Sequence, residues 1–225
     1  MIEPALIIIL VIAGMAMVAV MTFSFRFVFR SSLLDVTDDE TWTEPLFNGL
    51  AIVAVLAFLS WFNLRLTPSP ALIELNVTGA IVPIIVSIYL LFSIRAGWAR
   101  YLAVTSVVAT MAFLMTEMSL QGIFISIWAW IFIVVVCVSL SLLLSPGDVR
   151  GAMGIAYVSS SMGMLLGGDV LKFLIAGDFQ GPFIIGAWGL MDFVFLSGVI
   201  SIALILVYHA FLRLISSIAR VRVGS

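Results

Sequence analysis

Seven apolar stretches, each about as long as a bilayer-crossing helix, constrain this chain more than any other feature. A hydrocarbon core of about 30 Å needs about 20 apolar residues in an α-helix. Windows of that kind fall at roughly residues 3–27, 46–64, 71–94, 101–118, 122–144, 152–176 and 183–212. In lipid every backbone N–H and C=O must find its partner inside the protein, so stretches of this length predict helices. The expected fold class is all-α, a polytopic transmembrane helix bundle of about seven spans that makes residues 1–225 a single integral membrane domain. Composition agrees: 64% of residues are hydrophobic and 10% charged, with a mean hydropathy of +1.30, far outside the soluble globular range. The first stretch, Ala5 to Phe25, lacks a basic start and runs into Arg26 and Arg30 instead of a small-residue cleavage site, which predicts a retained helix and not a signal peptide.

Orientation follows from the basic residues, because short cytoplasmic loops carry the excess of Lys and Arg. With seven spans, Arg26, Arg30, Arg95, Arg100, Arg150, Arg213, Arg220 and Arg222 fall on one side, and Arg65 and Lys172 on the other. The amino terminus is therefore expected outside and the carboxyl terminus in the cytoplasm, in a multi-pass protein of the cell membrane. The same distribution keeps the fourth and fifth spans apart, although only Glu117, Ser119, Gln121 and Gly122 interrupt them.

The polar segments are few. Residues 31–45, SSLLDVTDDETWTEP, read as an acidic cytoplasmic connector, with a partner-docking loop as the alternative. LTPSP at 66–70 reads as a tight outer turn. In the third stretch Glu74, Asn76 and Thr78 precede Gly79 and Pro83. Either the helix is bent or discontinuous there, or it starts late, at Gly79, with 71–78 in the interface. The lone Cys137 rules out a disulfide within the chain and reads as a buried inert thiol. With one histidine, His209, and no acids at ligand spacing, neither a metal nor another cofactor is expected. The net charge of −2 and the lack of a basic run exclude a nucleic-acid partner.

Asp169 and Asp192 stand out against this background, because carboxylates inside apolar spans are expensive and are functional candidates by default. The polar turn GDFQGP at 177–182 lies midway between them. A helical hairpin bent there would bring both acids to a similar depth at a rise of about 1.5 Å per residue. Gly167 and Gly168 beside one acid, and Gly186 and Gly189 before the other, permit close packing and leave room for substrate or water. Two carboxylates at short range do not readily both ionise. In such a pair one can activate water while the other protonates a carbonyl oxygen. Glu74, Asn76, Glu117 and Lys172 are expected at the same level, in an outward-facing polar cavity with Asn76 as part of its wall. Two simpler explanations stand beside this one: an ion pair between Asp169 and Lys172, three residues apart on one helix, and a plain hydrogen bond from Asp192 to the hydroxyls of a neighbouring span.

Two resemblances bear on these residues. NVTGAIVPIIVSIYLL at 76–91, GIAYVSSSMGMLLGGDVLK at 154–172 and AWGLMDFVFLSGVIS at 187–201 together resemble an uncharacterised prokaryotic membrane family, domain of unknown function 1614. That likeness covers roughly 70–205 as a family-like core and leaves two additional spans in residues 1–65 outside it. GLMDFVFLSG at 189–198 is similar to the GxGD-type motif of presenilins and signal peptide peptidases, with Met191 at the second glycine. GGDVLKF at 167–173 looks like the glycine-aspartate motif of prepilin peptidases. The second resemblance implies a presenilin-like intramembrane aspartyl protease, or a degenerate relative, in which Asp169 and Asp192 are the catalytic pair, Gly167, Gly168 and Gly189 shape the cleft, and the substrate is another membrane protein. Two further functions fit the same residues: a small proton- or cation-coupled transporter using both acids, and a non-catalytic structural subunit of a membrane complex or oligomer.

Overall fold

A computed structural model describes residues 43–67, 73–94, 96–119, 122–176 and 183–223 of the 225. The chain divides into two units, Met1–Leu59 and Ser60–Ser225. In the first, helix α1 spans Thr43–Leu59, 17 residues. The first expected span, 3–27, and almost all of the acidic segment 31–45 lie outside the described residues, as do the turn at 177–182 and most of LTPSP.

The second unit opens with strand β1 (Asn63–Arg65) and strand β2 (Ile73–Asn76), followed by a π-helical turn (Val77–Ile81) that runs into helix α2 (Val82–Ser93). Helix α3 (Trp98–Met115) leads to strands β3 (Thr116–Ser119) and β4 (Gly122–Ile125), and then to helix α4 (Ile127–Leu144). Helix α5 (Val149–Met164) continues through a second π-helical segment (Leu165–Leu171) into the short helix α6 (Lys172–Ala176). Strand β5 (Phe183–Ile185) and a 3-10 turn (Gly189–Met191) precede the long helix α7 (Phe193–Val223).

Helix α5 is the hub: α2, α3, α4 and α7 all pack on it. Its sequence explains the position. GAMGIAYVSSS offers glycine, alanine and serine on every face, and residues 151–161 are buried without a break. Small side chains let helix backbones approach closely where lipid offers no hydrophobic force to drive association. The helices around it present stripes instead. On α3 the buried residues are Tyr101, Val104, Val108 and Ala112, and on α4 they are Trp130, Ile133, Val134, Cys137, Val138 and Ser141. Both sets recur every three to four residues, one helical face turned inward and the other left for lipid. Gly167 continues the close packing above α5: a side chain there would run into the backbone of Ala109 on α3.

Among the described residues four helices, not seven, are long and apolar enough to cross a bilayer: Trp98–Met115, Ile127–Leu144, Val149–Ile175 and Phe193–Ser216. The chain is thus a multi-pass membrane protein in contact with lipid. Val77–Ser93 is a shorter apolar helix, and at 17 residues α1 is about 26 Å long, just under the hydrocarbon thickness. Of the three expected spans without such a helix, 3–27 lies outside the described residues, 46–64 corresponds to α1, and 71–94 begins with strand β2, which apolarity alone does not separate from the adjoining turn of helix.

The fold is mostly helical, and all-α needs correcting. β1, β2 and β5 form a sheet in that order, β1 antiparallel to β2 and β2 parallel to β5, with Asn63 opposite Asn76 and Leu75 opposite Ile185. Arg65 and Glu74, cross-strand neighbours, join through Nε and Oε1 at 3.0 Å. β3 and β4 form a separate hairpin with Thr116 opposite Ile125. The third apolar stretch accordingly begins as a strand. Asn76 ends that strand and caps the π-helical turn, and Pro83 lies in the first turn of α2. Of the two readings of this stretch the late start is the nearer one.

Candidate functional site

The last stretch differs most from expectation, and it carries Asp192. Residues 183–192 are not the outer end of a helix: they run as strand β5, a bend at Gly186, and the 3-10 turn, and α7 begins only at Phe193. Gly186 has φ +74°, and a side chain on it would meet the backbone of Gly79 and Ala80. Glycine is needed at this bend for both its dihedral and its lack of bulk. The π-helical turn of Val77–Ile81 packs on the 3-10 turn at this point. Asp192 is the N-cap of α7. Its Oδ1 accepts the Val194 N–H at 2.9 Å, and Oδ2 faces the Trp188 N–H at a longer 3.5 Å. An N-cap carboxylate answers backbone donors that have no partner within the helix. The hydroxyl partners envisaged for Asp192 are not those it uses.

Asp169 is held differently, in the π-helical segment that interrupts the helix between α5 and α6. Single π turns inside helices recur at functional sites. The segment LLGGDVL combines two glycines with an acid, and so gives up regular helix exactly where bulk is missing from the packing face. No hydrogen-bond donor among the described residues reaches the Asp169 carboxylate. Lys172, one turn on, does not pair with it there: its ammonium lies over the ring of Phe113, 4.6 Å from the centroid. Cation–π contacts of this kind are favourable in the absence of competing water.

Both acids line one cavity of about 220 Å³. Gly168 and Met164 contribute from the helix that carries Asp169; Trp188, Met191, Phe193 and Val194 surround Asp192. The hairpin supplies the remaining wall through Thr116, Ile123, Phe124 and Ile125. Apart from the carboxylates and the Thr116 hydroxyl, the side chains are apolar. Non-helical backbone, the hairpin and the 3-10 turn, thus borders the cavity. Among the described residues no third His, Cys, Asp or Glu joins the two acids in a group able to hold a metal ion.

The expected cleft residues divide. Gly168 lines the cavity beside Asp169. Gly167 is turned to the backbone of α3, and Gly189, with φ +58°, sits against the side chain of Ser60 and sets the turn that leads to Asp192. Neither is among the residues that line the cavity. Asn76 is not among them either. It is 2% exposed and its amide is fully used: Nδ2 donates to the Ser60 carbonyl at 2.7 Å and to Asn63 Oδ1 at 2.9 Å, while Oδ1 accepts from Thr78 N at 3.1 Å and Gly79 N at 2.9 Å. Glu74 pairs with Arg65, and Glu117 is exposed on β3. The gathering of polar residues around the acids is therefore smaller than the sequence implied. Thr116, Phe124 and Trp188 were missing from the expected site. Thr116 and Phe124 flank what looked like a plain interhelical break, and only the hairpin folds them back over the acids.

The model of one family, described as protein of unknown function (DUF1614), matches residues 39–204. The match starts well before residue 70 and takes in α1 as well as the core. No curated protein and no solved structure matches the chain.

Proposed function

The chain belongs to the DUF1614 family, and we propose that it is a membrane-embedded aspartyl hydrolase, presenilin-like in its chemistry, that cleaves peptide bonds in membrane-spanning substrates with Asp169 and Asp192. The observation that carries this reading is that two carboxylates from separate segments line a single cavity.

The residues divide the chemistry between them. The ionised carboxylate takes a proton from water as the water oxygen bonds to the scissile carbonyl carbon, and the protonated one gives its proton to the carbonyl oxygen. Collapse of the tetrahedral species breaks the C–N bond, and a carboxyl proton passes to the leaving nitrogen. The products are one carboxylic acid and one amine, with one water consumed. Apolar walls favour this exchange, because a site that excludes bulk water strengthens electrostatic interactions with the developing charge.

The test is cleavage of a synthetic apolar transmembrane peptide, carrying a fluorophore and quencher on either side of its centre, by the protein in proteoliposomes. Asp169→Asn and Asp192→Asn are each expected to abolish cleavage. Activity that survives either change removes the proposal. A second reading, a proton or monovalent-cation pathway, is favoured by the Asp169 carboxylate having no donor among the described residues. Its signature in the same vesicles is an Asp169-dependent flux without cleavage.

A further inference from the structure

Thr116 is the third polar group of the cavity. Thr116 is 4% exposed, and its Oγ1 has no hydrogen-bond partner among the described residues. It belongs to the cavity lining with both acids. A side-chain carbon built on Gly168 would lie 3.5 Å from this oxygen, so the hydroxyl stands beside the backbone next to Asp169.

The local fold explains why this hydroxyl is unused. Threonines within helices commonly bond back to the carbonyl four residues earlier, as Thr110 does to Ser106 at 2.8 Å. Thr116 is the first residue past α3. Its backbone has turned extended, with φ −86° and ψ 131°, and its own N–H takes the Ala112 carbonyl. The side chain is thereby released from the helix and committed to the hairpin, opposite Ile125. A buried hydroxyl left without a partner is unfavourable, and such groups in native proteins call for a specific explanation, of which a role in binding or catalysis is one.

Resting on the hydrolase reading above, we propose that Thr116 is a catalytic residue whose hydroxyl donates a hydrogen bond to the scissile carbonyl oxygen and holds it as the carbon becomes tetrahedral. The two carboxylates handle the protons; Thr116 supplies a second, neutral donor to the oxygen that the protonated carboxyl also serves. Its value lies in the transition state, where charge accumulates on that oxygen, so it acts on kcat more than on KM. Gly168 fits the same arrangement, because its missing side chain leaves the space beside the hydroxyl open to substrate.

The experiment compares Thr116→Val and Thr116→Ser with the parent protein on the same quenched transmembrane peptide. Valine keeps the shape and removes the hydroxyl; serine keeps the hydroxyl and removes the methyl group. Thr116→Val is expected to lower kcat by roughly 100-fold, the scale seen for removal of one oxyanion donor, with KM nearly unchanged. Thr116→Ser is expected to stay within a few-fold of the parent. A peptide bearing a secondary alcohol in place of the scissile carbonyl should bind Thr116→Val more weakly than the parent, whereas the unmodified peptide binds both alike. Melting curves of both variants close to the parent's separate chemistry from folding. If Thr116→Val retains the parent kcat while the two Asp→Asn variants are inactive, the role of Thr116 is wrong and the hydrolase reading stands. If serine falls as far as valine, packing of the methyl group is responsible and the inference is overturned. Cleavage by the Asp→Asn variants overturns the hydrolase reading itself.

Discussion

Asn76 separates a residue of the cleft from a residue of the framework, and replacing it with alanine tells the two apart. The buried amide makes four hydrogen bonds. Alanine would leave the Thr78 and Gly79 N–H groups, both in buried residues at the start of the π-helical turn, without the acceptor that now serves them. The two partners on the other side matter less, because Asn63 is exposed and Ser60 half-buried, so water can replace the lost donors. Counting about 1–2 kcal/mol for each of the two stranded buried N–H groups gives a loss of roughly 2–4 kcal/mol, above the usual loss for an N-cap alone. The assay is reversible unfolding in mixed micelles, followed by circular dichroism as SDS is titrated. The loss should travel to the site, because the turn capped by Asn76 packs on the 3-10 turn before Asp192, and β2 pairs with β5. Stability of Asn76→Ala within about 1 kcal/mol of the parent would refute this account, because a buried cap with four partners should exceed that figure.

Three further outcomes follow from the packing. Gly167→Ala should destabilise the protein by about 1–3 kcal/mol, as overpacking does, because its methyl group meets backbone on α3 that cannot rotate away; an unchanged unfolding midpoint would contradict that contact. Asp192→Asn should preserve the cap and leave stability within about 0.5 kcal/mol, whereas Asp192→Ala should lose about 1 kcal/mol in the same titration, separating the structural part of this residue from its proposed chemistry. Lys172→Met should lose about 0.5–2 kcal/mol through its contact with Phe113. Phe113→Leu should remove most of the same energy, so a double-mutant cycle showing no coupling would disprove the contact.

How much of the site was legible in the sequence depends on the residue. Asp169 and Asp192 are conspicuous because each is an acid amid apolar neighbours, a property visible in one dimension. Gly168 is visible as their companion. Thr116 is not, since a threonine at the end of an apolar window looks like any helix terminus; its significance comes from a hairpin that folds over residues some 50 and 75 positions further along the chain. Lys172 illustrates the opposite error. Three residues from Asp169, it has the spacing of an intrahelical pair, but the π-helical segment between them changes the angular step and its ammonium goes to an aromatic ring.

The sequence by itself determined the solvent, the helical majority and the identity of the two acids, because these follow from composition, from the length of apolar runs and from the energy of charge in lipid. The expectation it raised for the acids was a similar depth, by way of a symmetrical helical hairpin. The tertiary structure decided how they are held. Asp169 sits in a π-helical interruption, and Asp192 caps a helix that starts ten residues after strand β5 begins. Hydropathy is summed along the chain, whereas strand pairing, caps and cavities arise between segments distant in sequence. Whether an apolar stretch of about 20 residues is helix throughout, or strand, turn and then helix, is fixed by the backbone partners it meets in the folded protein.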